Sequence, residues 1–273
     1  MEARPPARES SSAVTIVLRP DRILRALVVA AAVLTAVSLL ALLRSHAIDI
    51  GPTTTLDLDS EASIPTWFQA TLMLGCAALL YATARVERVA QSRYHRHWLV
   101  LSGIFLMLSC DEIASLHETA GKGLRNALDT GGVLYQAWVI PGVVFVLAMA
   151  ALSVRVLRSL PARHRRAFLL AAVIYLGGAL GMEFVGAGVG ESQGQDSLVY
   201  GLITHVEEVL EMTGLILFLR AIMRYLGSRD TAQLAIPLWG SGQLERAHQG
   251  VGTSPSLGET SADAAASPAV PIT

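Results

Sequence analysis

The chain is poor in charge and almost without lysine. Charged side chains make up 16 % of its 273 residues, well below the quarter usual in a soluble domain, while 52 % are hydrophobic. That balance excludes an ordinary water-soluble domain. Only two cysteines are present, Cys76 and Cys110. Both fall inside apolar runs, so neither a disulfide framework nor a paired-cysteine zinc site can be built from them. The sequence also lacks a Walker phosphate loop, a dinucleotide glycine fingerprint and a Gly-x-Ser-x-Gly nucleophile elbow. Of its 21 basic residues, Lys122 is the sole lysine. So strong a bias to arginine points to a GC-rich bacterial genome.

What the sequence has instead is long apolar runs. About 20 apolar residues span the roughly 30 Å of bilayer hydrocarbon. Six such runs occur, at 22–44, 64–84, 98–117, 135–157, 167–189 and 199–226. The expected fold is therefore all-α: a polytopic integral membrane protein whose transmembrane domain, 15–227, is a bundle of six helices. The first run follows arginines and ends near Ala47, as a cleaved signal peptide would, but its length favours a retained helix. Residues 1–14 and 228–273 are rich in Ser, Pro, Gly, Ala and Thr and read as disordered tails.

The arginines give an orientation. Eighteen of them flank alternate ends of the runs, whereas the opposite loops keep only Arg44, Lys122 and Arg125. Basic residues collect on the cytoplasmic side, so both termini are expected to be cytoplasmic, in the inner membrane of a cell. The basic residues track one membrane face, which argues against nucleic-acid binding. Trp67, Tyr135, Trp138 and Tyr200 fall near outer helix ends and read as an aromatic belt, with Trp98 as an inner anchor. Pro141, inside the fourth run, is expected to kink that helix beside the outer layer. Gly177, Gly178 and Gly181 permit close helix packing.

Against this background the segment SCDEIASLHE, 109–118, stands out, as do GMEF around Glu183 and HVEEVLE at 205–211. At about 1.5 Å per residue, Asp111, Glu183 and the acids of the sixth run all lie in the outer half of the bilayer. At about 100° per residue, Asp111, His117 and Glu118 share one helix face, and Glu207, Glu211, Glu208 and His205 form an arc on the last helix. Glu112 points elsewhere on its helix.

A carboxylate near mid-bilayer costs roughly 3 kcal/mol if ionised and unpaired. No basic side chain of the runs reaches this layer. The acids must then be protonated, line a water-filled cavity or share bound cations.

The donor set favours a metal centre of hard, oxygen-rich character, with iron or manganese ahead of zinc. The expected ligands are Asp111, His117, Glu118, Glu183, His205, Glu208 and Glu211, with Glu207 or Glu112 as catalytic proton relay or orienting carboxylate. The inventory matches that of carboxylate-bridged di-iron proteins, although the Glu-x-x-His spacing occurs reversed on the last helix and not at all before His117. The function expected is a metal-dependent membrane enzyme acting on a lipid-like or quinone-like substrate that enters from the bilayer. Two alternatives stay open: a cation- or proton-coupled transporter or channel, and a membrane sensor or assembly subunit. The sequence leaves the oligomeric state undetermined.

Overall fold

A computed structural model describes residues 20–48, 54–58, 60, 63–128 and 138–229, apart from the side chains of Glu118, Lys122, Arg125 and 126–128. All of them belong to one compact unit, Ile16–Gln233. Of the tails expected at 1–14 and 228–273, all but Ser228 and Arg229 lie outside the described residues.

Among the described residues the fold is helical without strands. The elements are α1 (Pro20–Ile48), a 3-10 turn (Thr54–Leu56), α2 (Ile64–Val89), α3 (His95–Ala114), α4 (Leu116–Leu128), α5 (Val139–Ser159), α6 (Ala162–Leu176), a π-helical segment (Gly177–Met182), α7 (Glu183–Gln193) and α8 (Leu198–Gly227). Five helices are long and apolar enough to cross a membrane: α1, α2, α3, α5, and the continuous α6–π–α7 rod, Ala162–Gln193. Their length and composition suit a multi-pass membrane protein. The last run forms the 30-residue α8, but its charged residues keep it out of that apolar set.

Three expectations change on inspection. The third run does not continue to His117: α3 ends at Ala114, and Ser115 adopts a left-handed conformation (φ 51°, ψ 39°) before α4 begins. The fifth run is not uniformly α-helical, because the Gly177–Met182 segment widens to π-helix, the local form a ladder takes when one extra residue is inserted. Pro141 falls in the first turn of α5, where its missing N–H leaves no internal bond unmade, so it starts that helix and does not kink it.

α8 is the central element, packed on α1, α2, α6, the π segment and α7, while α2 and α3 form a tight antiparallel pair. Hydroxyls stitch that pair: Ser102 donates to the Ala77 carbonyl and Ser109 to the Ala70 carbonyl, both at 2.8 Å. Such bonds hold helices together where lipid offers no hydrophobic drive between them. Trp98, Phe168, Phe218, Phe105 and Tyr225 fill the core toward the arginine-rich end, with Phe105 and Phe218 stacked at 4.9 Å and Trp98 and Tyr225 at 5.3 Å. Trp98 is thus a core side chain, not an interfacial anchor.

Two glycines let α8 approach its neighbours. A Cβ at Gly178 would sit 2.8 Å from the Glu207 carbonyl oxygen, and one at Gly214 would sit 2.7 Å from the Tyr175 backbone. Nothing approaches Gly177 or Gly181 so closely. Because the obstruction at Gly214 is backbone, Gly214→Ala is expected to cost about 1–3 kcal/mol by overpacking. Gly181→Ala, with open space, should leave stability unchanged. Denaturant titration in mixed micelles checks the pair, and equal behaviour would contradict the packing described.

Candidate acidic membrane site

The break at Ser115 builds the first half of the site. By ending α3 before His117, it lets His117 meet Asp111. Asp111 then accepts two bonds from one residue: Oδ1 from the His117 backbone N–H at 3.1 Å, and Oδ2 at 2.9 Å from ring Nδ1. The same carboxylate therefore caps the first turn of α4 and aims the imidazole. Trp138, at the start of α5, meets the His117 ring edge-on at 5.2 Å, so it belongs to the site and not to a belt. Asp111 and His117 do not share the face of one continuous helix, as the angular reading expects. They meet because the helix stops. A non-glycine residue held at positive φ is a local strain of the kind that gathers at functional sites.

The second half comes from the rod and α8. The π segment ends at Glu183, and the close approach at Gly178 sets the rod against Glu207 and Glu211 of α8. Asp111, Glu112, His117, Glu183, Glu207, Glu208 and Glu211 all line one cavity of about 480 Å³. Glu112 thus joins the cavity although it points away from the helix face expected to hold the site. Leu58 and Ser60, from the loop before α2, also line it.

His205 is not brought there. It lies at the far end of the arc on α8, where it is buried toward α1: its ring bonds the Ser38 hydroxyl at 3.0 Å and the Gly201 carbonyl at 2.7 Å. Ser38 also receives the Leu58 N–H at 3.1 Å, so His205 helps fasten the loop before α2 to α1. The Glu118 side chain lies outside the described residues.

Residues that the acids alone do not reveal complete the lining. Gln69 of α2, 2 % exposed, donates from Nε2 to Glu211 Oε2 at 2.8 Å. Its Oε1 is buried with no hydrogen-bond partner among the described residues. Glu211 is itself only 8 % exposed. Tyr175, Trp138, Phe145 and Tyr200 supply aromatic walls. A lone amide in the apolar stretch WFQATLML was the available signal for Gln69.

The cavity holds six carboxylates and one imidazole, with Gln69, Thr66 and Thr204 as neutral polar partners. Among the described residues, no group of three or more His, Cys, Asp and Glu side chains is drawn together as a ready-made metal cage. The acids ring the space instead of converging on one point in it. Such a ring offers negative charge and hydrogen-bond acceptors to a cation or a donor-rich polar group of some size.

Directly beneath lies a second, apolar pocket of about 390 Å³ between α3, α5, α6 and α8. Met73, Leu108, Phe145, Val146, Tyr175 and Leu176 line both spaces. Among the described residues, no ionisable side chain apart from Tyr175 lines the lower one.

The fold and the site define an all-helical protein of membrane character with an acidic chamber between its helices. The chain belongs to the family described as Domain of unknown function (DUF8692), whose model matches residues 26–226. No curated protein and no solved structure matches it.

Proposed function

We propose that the protein is a membrane enzyme that performs acid–base chemistry on a lipid-like substrate in the acidic chamber. In this reading all six long helices, α8 included, cross a bacterial inner membrane, with the arginine-rich ends and both termini cytoplasmic. What carries the proposal is the Asp111–His117 pair opening onto the cavity: with Nδ1 bonded to the carboxylate, the opposite ring nitrogen, Nε2, is the one left to take or give a proton. The carboxylates bind and orient the polar part of the substrate, and Glu207 or Glu112 relays the proton onward.

A metal-dependent form of this chemistry is a second reading, favoured by the same pair, because a metal-ligating imidazole is commonly oriented by a carboxylate on its other nitrogen. His117, Glu183, Glu208 and Glu211, which are not gathered into a cage in this structure, would have to close on the ion, with Asp111 orienting His117 and iron or manganese preferred by so oxygen-rich a set. A through-membrane ion path has less support, since the pocket below the acids is apolar.

The test is lipid turnover. The purified chain is reconstituted into vesicles of total polar lipid from a bacterial host, and the lipids are followed by mass spectrometry, wild type beside His117→Ala and Glu208→Ala. New or depleted lipid species are expected with wild type only, and both variants should remain correctly inserted. Identical lipid profiles for all three would overturn the enzymatic reading. Metal content, counted per chain in the same preparations, separates the two forms: near-stoichiometric iron or manganese that both variants lose supports the metal-dependent one.

A further inference from the structure

The acidic chamber and the apolar pocket together have the shape of one kind of molecule. We infer that the site takes a single-chain amphiphile with a primary ammonium head, the head seated against Glu211, Glu208 and the Gln69 carbonyl oxygen, the chain in the apolar pocket. This rests on the membrane-enzyme reading and names its substrate class.

The acidic residues by themselves would not specify a ligand; Gln69 does. Its amide is 2 % exposed, one end is engaged by Glu211, and the other end presents an oxygen with no donor to satisfy it. A buried acceptor left unmade costs about 1–3 kcal/mol. A ligand that brings N–H groups removes that cost. The neighbouring acceptors are carboxylates, so the group that suits all of them is both cationic and rich in N–H donors, which a primary ammonium is and a hydroxyl is not. An anionic head would find no lysine or arginine among the described residues that line the chamber. Trp138, Tyr200 and Tyr175 also line the chamber and add aromatic side chains that suit a cation.

The lower pocket supplies the other half of the match. Its lining is apolar from Leu108 down to Trp98, and it shares its upper rim with the acidic chamber, so the two spaces adjoin across a largely apolar boundary. The two volumes, about 480 and 390 Å³, together lie in the range of sites for small organic ligands. A free inorganic cation would use only the upper space. A quinone would bring no positive charge to the acids.

Thermal-shift titration of the full-length chain in lipid nanodiscs tests this with four probes: tetradecylammonium, tetradecanol, tetradecanoate and butylammonium. Tetradecylammonium is expected to stabilise the protein at concentrations at least about tenfold lower than the other three. Glu211→Ala should abolish that preference. Ala172→Phe, which fills the apolar pocket, should bring tetradecylammonium down to the level of butylammonium and leave butylammonium unchanged; Met149→Trp serves the same purpose if the first variant does not fold. Equal affinity for the long and short ammonium ions, insensitive to both pocket variants, would overturn the amphiphile and leave an acidic cation site. Preference for tetradecanol or tetradecanoate would overturn the ammonium head. Lipid turnover that depends on His117 without any ammonium binding sinks this inference alone, whereas ammonium binding without turnover sinks the enzymatic reading alone.

Discussion

Arg229→Ala is expected to destabilise the folded chain by about 3–5 kcal/mol, the cost of leaving a buried ion without its partner. Glu87 near the end of α2 is 2 % exposed, and its Oε1 lies 2.5 Å from the Arg229 guanidinium. Tyr225 completes the arrangement: its hydroxyl donates to Glu87 at 2.7 Å and accepts from Arg229. Trp98 stacks on the Tyr225 ring and His164 meets it edge-on at 5.6 Å, so one cluster ties α2, α3, α6 and α8 at the arginine-rich end. Without Arg229 the Glu87 carboxylate stays buried with one neutral donor. The reverse change is milder. Glu87→Gln keeps a partner for Tyr225 and leaves a guanidinium that is 40 % exposed and can be hydrated, so about 1 kcal/mol or less is expected. Replacing both, Glu87→Leu with Arg229→Ala, should recover most of the loss, because the cost is that of an unpaired charge. Denaturant titrations of the three variants in mixed micelles give the comparison. A single Arg229→Ala variant as stable as Glu87→Gln would show that the pair does not secure this end of the bundle.

Some of this was legible in the sequence and some was not, for definite reasons. The helices were readable because runs of about 20 apolar residues have few other uses. Their acids were readable as a group because lipid offers a carboxylate no partner. The break at Ser115 was not, since no glycine or proline marks it and the left-handed conformation falls on a serine. Missing it makes one continuous helix of two, and the right residues then come together by the wrong geometry. His205 misled for a different reason: it sits on the same helix as Glu208, but helical position fixes only a direction, and Ser38 of α1 occupies that direction. Gln69 went unnoticed because a neutral amide hardly disturbs an apolar run. Glu87 lies between Arg85 and Arg88, where a charge reads as part of a solvated helix end, and only packing shows it buried.

The largest functional effect is expected from Asp111→Asn, a change of one atom. Asp111 has two oxygens and both are in use, one for the His117 backbone N–H and one for Nδ1. Asparagine has a single acceptor oxygen and an NH2 group in place of the other. If that oxygen keeps the backbone bond, the NH2 faces Nδ1 and forces the ring proton to Nε2, the wrong tautomer for a base that works through Nε2. If it keeps the ring bond, the NH2 opposes the backbone N–H and the first turn of α4 loses its cap, at about 1 kcal/mol. Either way the pair cannot do both tasks. Where the tautomer changes, turnover is expected to fall by about 10²–10⁴, the usual worth of a positioned acid–base group, and as far as it falls in His117→Ala; where only the cap is lost, it falls by much less. Nitrogen NMR of labelled imidazole separates the two branches: a proton moved to Nε2 identifies the tautomer change, and increased hydrogen exchange over Leu116–Thr119 identifies the lost cap. Full turnover in Asp111→Asn with the ring proton moved to Nε2 would remove His117 from the chemistry and leave the carboxylates of α8 as the groups that act.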